Sequence, residues 1–174
     1  GESALSQASF LGDFELVQLL LRAGADEKQL QWTPLMHAVA FGREKEFGNI
    51  LQKHRYEAQR DRYGRTAFLL AVQSGSPEMA QACLMAGADL EERDRRGKTA
   101  LMHAAARGDG SLTAWLIERG AAVDAVDKEG YTALMDACAR DARHTVRMLL
   151  VAGAGITMEN NYKEQAVKVA VSPE

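Results

Sequence analysis

The feature that most constrains this chain is a step of 33 residues. Thr33, Thr66, Thr99 and Thr132 stand on it. Each opens a similar string: Thr33-Pro34-Leu35-Met36-His37-Ala38, Thr66-Ala67-Phe68-Leu69-Leu70-Ala71, Thr99-Ala100-Leu101-Met102-His103-Ala104 and Thr132-Ala133-Leu134-Met135-Asp136-Ala137. Asp61, Asp94 and Asp127 keep the same step, Asn160 continues it, and Gly64, Gly97 and Gly130 follow each Asp by three residues. Gly42, Gly75 and Gly108 lie nine residues after their threonines, and Gly87, Gly120 and Gly153 twenty-one after theirs. Columns in phase over most of the chain define a repeat array. In such an array each unit buries its apolar face against its neighbours.

One unit reads directly. Asp61-Arg62-Tyr63-Gly64 suits a β-turn, with Asp capping and Gly supplying a positive φ. Thr66 is placed to N-cap a short first helix. Ala71 is small enough for close helix stacking, and Gly75 separates the two helices. Met79, Ala82, Cys83 and Leu84 give the second helix an apolar stripe, and Gly87 ends it.

These strings resemble the ankyrin repeat, whose signature is D-x-x-G-x-T-P-L-H-x-A-A followed by G-x-x-x-x-V-x-x-L-L-x-x-G-A-D. Asp94 to Ala105 matches its first half and Gly12 to Asp26 its second, and the resemblance runs along essentially the whole chain. It implies an all-α solenoid of stacked helix–turn–helix units with β-turn or hairpin fingers. The expected domain is 1–174, with repeats at about 1–27 (partial), 28–60, 61–93, 94–126, 127–159 and 160–174 (a partial cap).

The departures are specific. The first repeat lacks a finger and starts at Ser3 in the Thr column. Its exit from Gly24 to Thr33 is nine residues, against twelve from Gly87 to Thr99. The second repeat has His54-Arg55 for Gly-Ala and Gly48 inside its second helix. Asp141 replaces an inter-helix Gly, Lys163 replaces a finger Gly, and Ala170 keeps the Ala column in a capping helix. The family's Thr-Pro-Leu-His histidine is replaced by Ser6, Met36, Leu69, Met102 and Met135. Histidine-to-turn hydrogen bonds are therefore expected to be absent and the fingers less rigid.

Composition excludes several functions. A net charge of -3 and a pI near 5.9 oppose bulk attraction to nucleic acid or membrane. No apolar run reaches the roughly 18 residues of a bilayer span. No basic segment followed by an apolar one opens the chain, so a secretory leader is not expected. Cys83 and Cys138 lack metal or redox spacing and read as buried thiols of a reducing compartment, placing the chain in the cytoplasm or nucleus. The four histidines are His37, His54, His103 and His144. His37 and His103 fall two repeats apart, roughly 20 Å at ordinary helix spacing, so they share no metal. His103 and Asp136 sit one repeat apart in one column and could touch, but no serine or cysteine completes a nucleophilic set. No Gly-rich phosphate loop is present, since the in-step glycines already have turn or cap roles. The chain is therefore read as non-enzymatic, without a cofactor.

The resemblance implies that ligands engage the concave side, formed by finger tips and the exposed edge of the first helices. The finger positions include Leu30 and Trp32, then Arg62, Tyr63 and Arg65, then Arg95, Arg96 and Lys98, then Tyr131, and last Tyr162. Phe10, Leu11, Phe41, Ser74, Arg107 and Arg140 fall at the matching helix edge. Arg, Tyr and Trp are the types enriched at hot spots, and Arg clamps carboxylates bidentately. The expected partner-binding set is Trp32, Arg62, Tyr63, Arg65, Arg95, Arg96, Lys98, Arg107, Tyr131 and Arg140, taking another protein or peptide that is acidic, with the chain a monomer. The bland alternative is a solvated face. Nucleotide or nucleic-acid binding by the same fingers is a second alternative. Service as the regulatory arm of a larger enzyme is a third. Trp115 and Phe47 lie on second-helix stripes and are expected in the core.

Overall fold

Each in-step threonine caps a helix. The hydroxyls of Thr33, Thr66, Thr99 and Thr132 accept from the amides of Met36, Leu69, Met102 and Met135 at 3.2–3.4 Å, and Ser3 does the same for Ser6. This satisfies one of the donors that a helix start leaves unpaired. The computed structural model describes residues 3–53 and 56–169, with Val169 described by its backbone alone. The expectations for His54, Arg55 and Ala170 lie outside the described residues.

The helices in chain order are α1 (Ala4–Leu11), α2 (Phe14–Arg22), α3 (Pro34–Ala40), α4 (Glu44–Lys53), α5 (Ala67–Ser74) and α6 (Pro77–Met85). They continue with α7 (Ala100–Arg107), α8 (Gly110–Glu118), α9 (Ala133–Ala139), α10 (Arg143–Val151) and α11 (Ala166–Val169). A short 3-10 helix, η1, spans Glu27–Leu30. This is an all-α repeat fold.

The fingers are built by one device used four times. One side-chain oxygen of Asp61, Asp94, Asp127 or Asn160 accepts the amides two and four residues onward, at 2.8–3.0 Å. The third residue onward takes the left-handed conformation. Gly64 does so without strain at φ 76, whereas Lys163 is held there at φ 63.

The chain forms two compact units, Gly1–Asp89 and Leu90–Glu174. In the second, α7 packs on α8 and α9, α9 on α10 and α11, and α8 on α10. Leu101, Met102, Ala104, Ala105, Leu134, Met135 and Ala137 are buried between them. In the first, α3 packs on α4 and α5, and α5 on α6, in the same manner. The first repeat departs from it. α1 makes its main helix contacts with α2 and η1, and Leu5, Ala8, Val17 and Leu30 form a small core of their own. The nine-residue exit leaves no length for a finger, so η1 stands where a finger would be.

Two sequence expectations are corrected here. Leu30 is fully buried in that small core and offers nothing at a finger tip. Phe47 is core as expected, but Trp115 is half-buried, with the Arg119 guanidinium 3.8 Å from its ring centre.

Candidate protein-binding surface

In the first unit the expected site residues are engaged by the chain itself. Arg65 is 2 % exposed. Its Nε and Nη2 donate to Asp61 Oδ2 at 2.9 and 2.6 Å. Nη1 donates to Ser9 O and Gln73 Oε1, both at 2.6 Å, and Nη2 also reaches Ser9 Oγ at 2.7 Å. A guanidinium has five donors, and all five are matched. The expectation that Arg65 meets a partner is therefore overturned: its charge is compensated internally and shut away from solvent.

Tyr63 donates its hydroxyl to Ser6 O at 2.7 Å and packs at a tilt against Phe10, with ring centres 5.3 Å apart. Arg62 lies over the Tyr63 ring at 5.3 Å and donates to Ser6 Oγ. Trp32 sits among Phe14, His37 and Phe41 with centroid separations of 5.3–6.1 Å, and its indole N–H points at Asp61 Oδ2, 3.4 Å away. His37 Nε2 lies 2.9 Å from the exposed Glu27 carboxylate. Burial pushes His37 below the ordinary imidazole range, and Glu27 only partly offsets this. The contact at neutral pH is thus a hydrogen bond from a neutral ring.

In the second unit some charged side chains are largely buried in pairs and others stand exposed. Lys98 Nζ holds both Asp136 oxygens at 2.7 and 2.8 Å, with both side chains mostly buried. Burial raises the Asp136 carboxyl above its usual value, and Lys98 counters only part of that. His103 Nε2 lies 3.1 Å from Asp94 Oδ2. Burial alone would raise Asp94, but the His103 hydrogen bond and charge and two backbone amides outweigh it and hold Asp94 below its usual value. The expectation of no histidine-to-turn bond is thereby corrected. His103, one position past the family's column, reaches its own finger and does not bond Asp136.

Arg95, Arg107 and Arg140 are exposed, and exposed Arg96 makes a solvent-facing pair with Glu129 at 3.2 Å. Such a pair is worth little and yields easily to a competitor. Tyr131 is half-buried and its ring meets that of Tyr162 at a tilt, with centroids 6.4 Å apart. Burial and the neighbours Glu164, Tyr162, Glu129 and Asp127 raise its hydroxyl above the ordinary phenol range. Successive fingers are stitched by Lys128 N to Arg96 O and Asn161 N to Glu129 O, each 2.9 Å.

This succession of capped helix pairs and Asp-anchored fingers is matched by a family model described as ankyrin repeats (three copies), over residues 5–94 and 70–160. The chain is an ankyrin-repeat protein. Ankyrin repeats are generally protein–protein interaction modules and typically non-enzymatic. A comparison with curated proteins returns no match. Among the described residues of this ankyrin-repeat chain no helix is long and apolar enough to cross a membrane, and no side-chain group fits a metal ion. Ser6, Ser9 and Gln73, which take up the third finger, were not legible as partners of Arg62, Tyr63 and Arg65. The signal that could have found them is the short exit of the first repeat, which forbids regular stacking of α1.

Proposed function

We propose that this ankyrin-repeat chain recognises an extended acidic segment of another protein along the first-helix face of its fourth and fifth repeats. The observation that carries the reading is the distribution of exposed arginines. Arg95 and Arg96 stand before the start of α7, while Arg107 ends α7 and Arg140 follows α9. Between them Lys98 is paired with Asp136, and Asp94 is held by the His103 ring. The eight residues of α7 separate the two ends by about 12 Å at roughly 1.5 Å per residue. An extended segment rises about 3.3 Å per residue, so carboxylates about four residues apart reach both ends. Each guanidinium offers a carboxylate a two-point clamp. Tyr131 flanks this face with an aromatic ring.

Selection from a displayed peptide library tests the reading. Enriched peptides are expected to carry Asp or Glu at about four-residue spacing. Combined Arg95→Glu, Arg107→Glu and Arg140→Glu substitution is expected to abolish their binding without changing the helical circular dichroism. Enrichment of neutral or basic peptides, or unchanged binding by the triple variant, overturns it.

A further inference from the structure

The N-terminal helices cover a face that the later repeats leave open. Leu70 and Gln73 of the third repeat share columns with His103 and Ala106 of the fourth, and with Asp136 and Ala139 of the fifth. Those four are half-buried or exposed, whereas Leu70 is wholly buried and Gln73 is 7 % exposed. α1 runs along this face. Ser6 meets Arg62 and Tyr63 at the finger, and Ser9 meets Arg65. Farther on, Phe10 O accepts from Gln73 Nε2 at 3.1 Å. The approach is close enough that a β-carbon on Gly12 would come within 2.8 Å of Gln73 Cγ.

What α1 offers is neutral but of one polarity. Ser6 O, Ser6 Oγ, Ser9 O, Ser9 Oγ and Phe10 O all accept, and two of the carbonyls belong to the last turn of α1. A helix C-terminus carries partial negative charge. The third finger therefore receives from α1 a weak imitation of an acidic ligand. The buried apolar residues of α1, Leu5 and Ala8, cluster with Val17 of α2 and Leu30 of η1, with Leu20 and Leu21 packed against them.

We infer that α1–α2 is a self-ligand that occupies the binding face of the third repeat and is displaced by a carboxylate-bearing segment of a partner. At Arg62 a carboxylate brings a full opposite charge where α1 offers only the neutral Ser6 hydroxyl. Displacement requires only the opening of one cooperative segment, not of the whole unit.

The test uses the full chain with Arg95→Glu, Arg107→Glu and Arg140→Glu already in place, so that the surface proposed above is silent. Two unrelated substitutions lift α1: Ser9→Phe overfills its contact with Arg65, and Gly12→Val collides with Gln73. The readouts are amide hydrogen exchange and the anisotropy of fluorescein-labelled hexaglutamate. In both lifted variants, amides of α1 and α2 are expected to exchange at least about tenfold faster, while those of α3, α5 and α6 keep their protection. Hexaglutamate is expected to bind the lifted variants at least about tenfold more tightly than the unlifted background, and adding Arg62→Glu is expected to remove that gain. Joint loss of protection in α1 to α6 makes the pair a structural cap and overturns the inference. Lifted variants that bind hexaglutamate no better than the background overturn it equally.

Discussion

Replacing Arg65 by Ala is expected to destabilise the first unit severely. The substitution leaves Asp61 Oδ2 without the guanidinium that compensates it, on a side chain with no exposed surface. It also removes the donor shared by Gln73 Oε1 and Ser9 O, the latter keeping only its bond from the Gly12 amide. Summing five charge-assisted bonds at about 1.5–3 kcal/mol each overstates the effect, because water enters the space left by the side chain. The relevant magnitude is that of breaking a buried ion pair, about 3–5 kcal/mol. For a chain of this length that lowers the melting temperature by roughly 6–20 °C, at about 2–4 °C per kcal/mol. Arg65→Lys keeps the charge but has three donors for five acceptor contacts, so a smaller loss of about 2 kcal/mol is expected. Pairing Arg65→Ala with Asp61→Asn is expected to lose less than the two single losses added together, since the stranded charge is then gone. Urea unfolding followed by Trp32 fluorescence, in a Trp115→Phe background, reads the unit in which the pair lies. A loss below about 1 kcal/mol for Arg65→Ala would refute the account of a saturated, buried guanidinium.

Three further outcomes follow from local features. Gly48 lies inside α4 with open space around the position of an added β-carbon, so Gly48→Ala is expected to raise stability by about 1 kcal/mol; an unchanged urea midpoint contradicts this. Lys163 stands at φ 63 where the other fingers have Gly. Lys163→Gly is therefore expected to add about 1 kcal/mol, because the exposed 4.0 Å contact to Glu159 that it removes is worth less; a lowered thermal midpoint contradicts it. Asp94 is held below its ordinary value of 3.8, so its ionised form stabilises the fold above pH 3.8 and that contribution is lost as pH falls through the folded value. His103→Ala leaves burial, the largest influence, less opposed. The Asp94 carboxyl is then expected to titrate at higher pH by carbon-detected NMR, and acid unfolding to begin earlier; an unmoved Asp94 titration counts against the His103 contact.

Much of the architecture follows from short-range chemistry. A threonine capping the amide three residues on, and an aspartate bonding amides two and four residues on, require only neighbouring chain. The helix starts and fingers could therefore be read from the 33-residue step and its anchors. The same locality explains why Asp141, at φ 50, and Lys163 mark strained versions of glycine positions. The His103 bond is not legible from the family's pattern, because its histidine stands outside the column that supplies that bond. One position later, the imidazole still reaches Asp94.

The surface was decided by tertiary structure. Arg62, Arg65, Lys98 and Arg95 are equivalent as sequence: basic residues on fingers. Beyond the local Asp61–Arg65 pair, their fates differ because of partners far along the chain. Ser9 lies 56 residues before Arg65, and Asp136 lies 38 after Lys98. Whether such a charge is buried and matched or left for a ligand depends on which faces the chain closes over. The period determined that helices and fingers recur, since each repeat contains its own caps and turns. It could not determine that α1 leaves the stack and lies over Arg65 and Gln73. That depends on three missing residues of connection and on the oxygens the displaced helix brings with it.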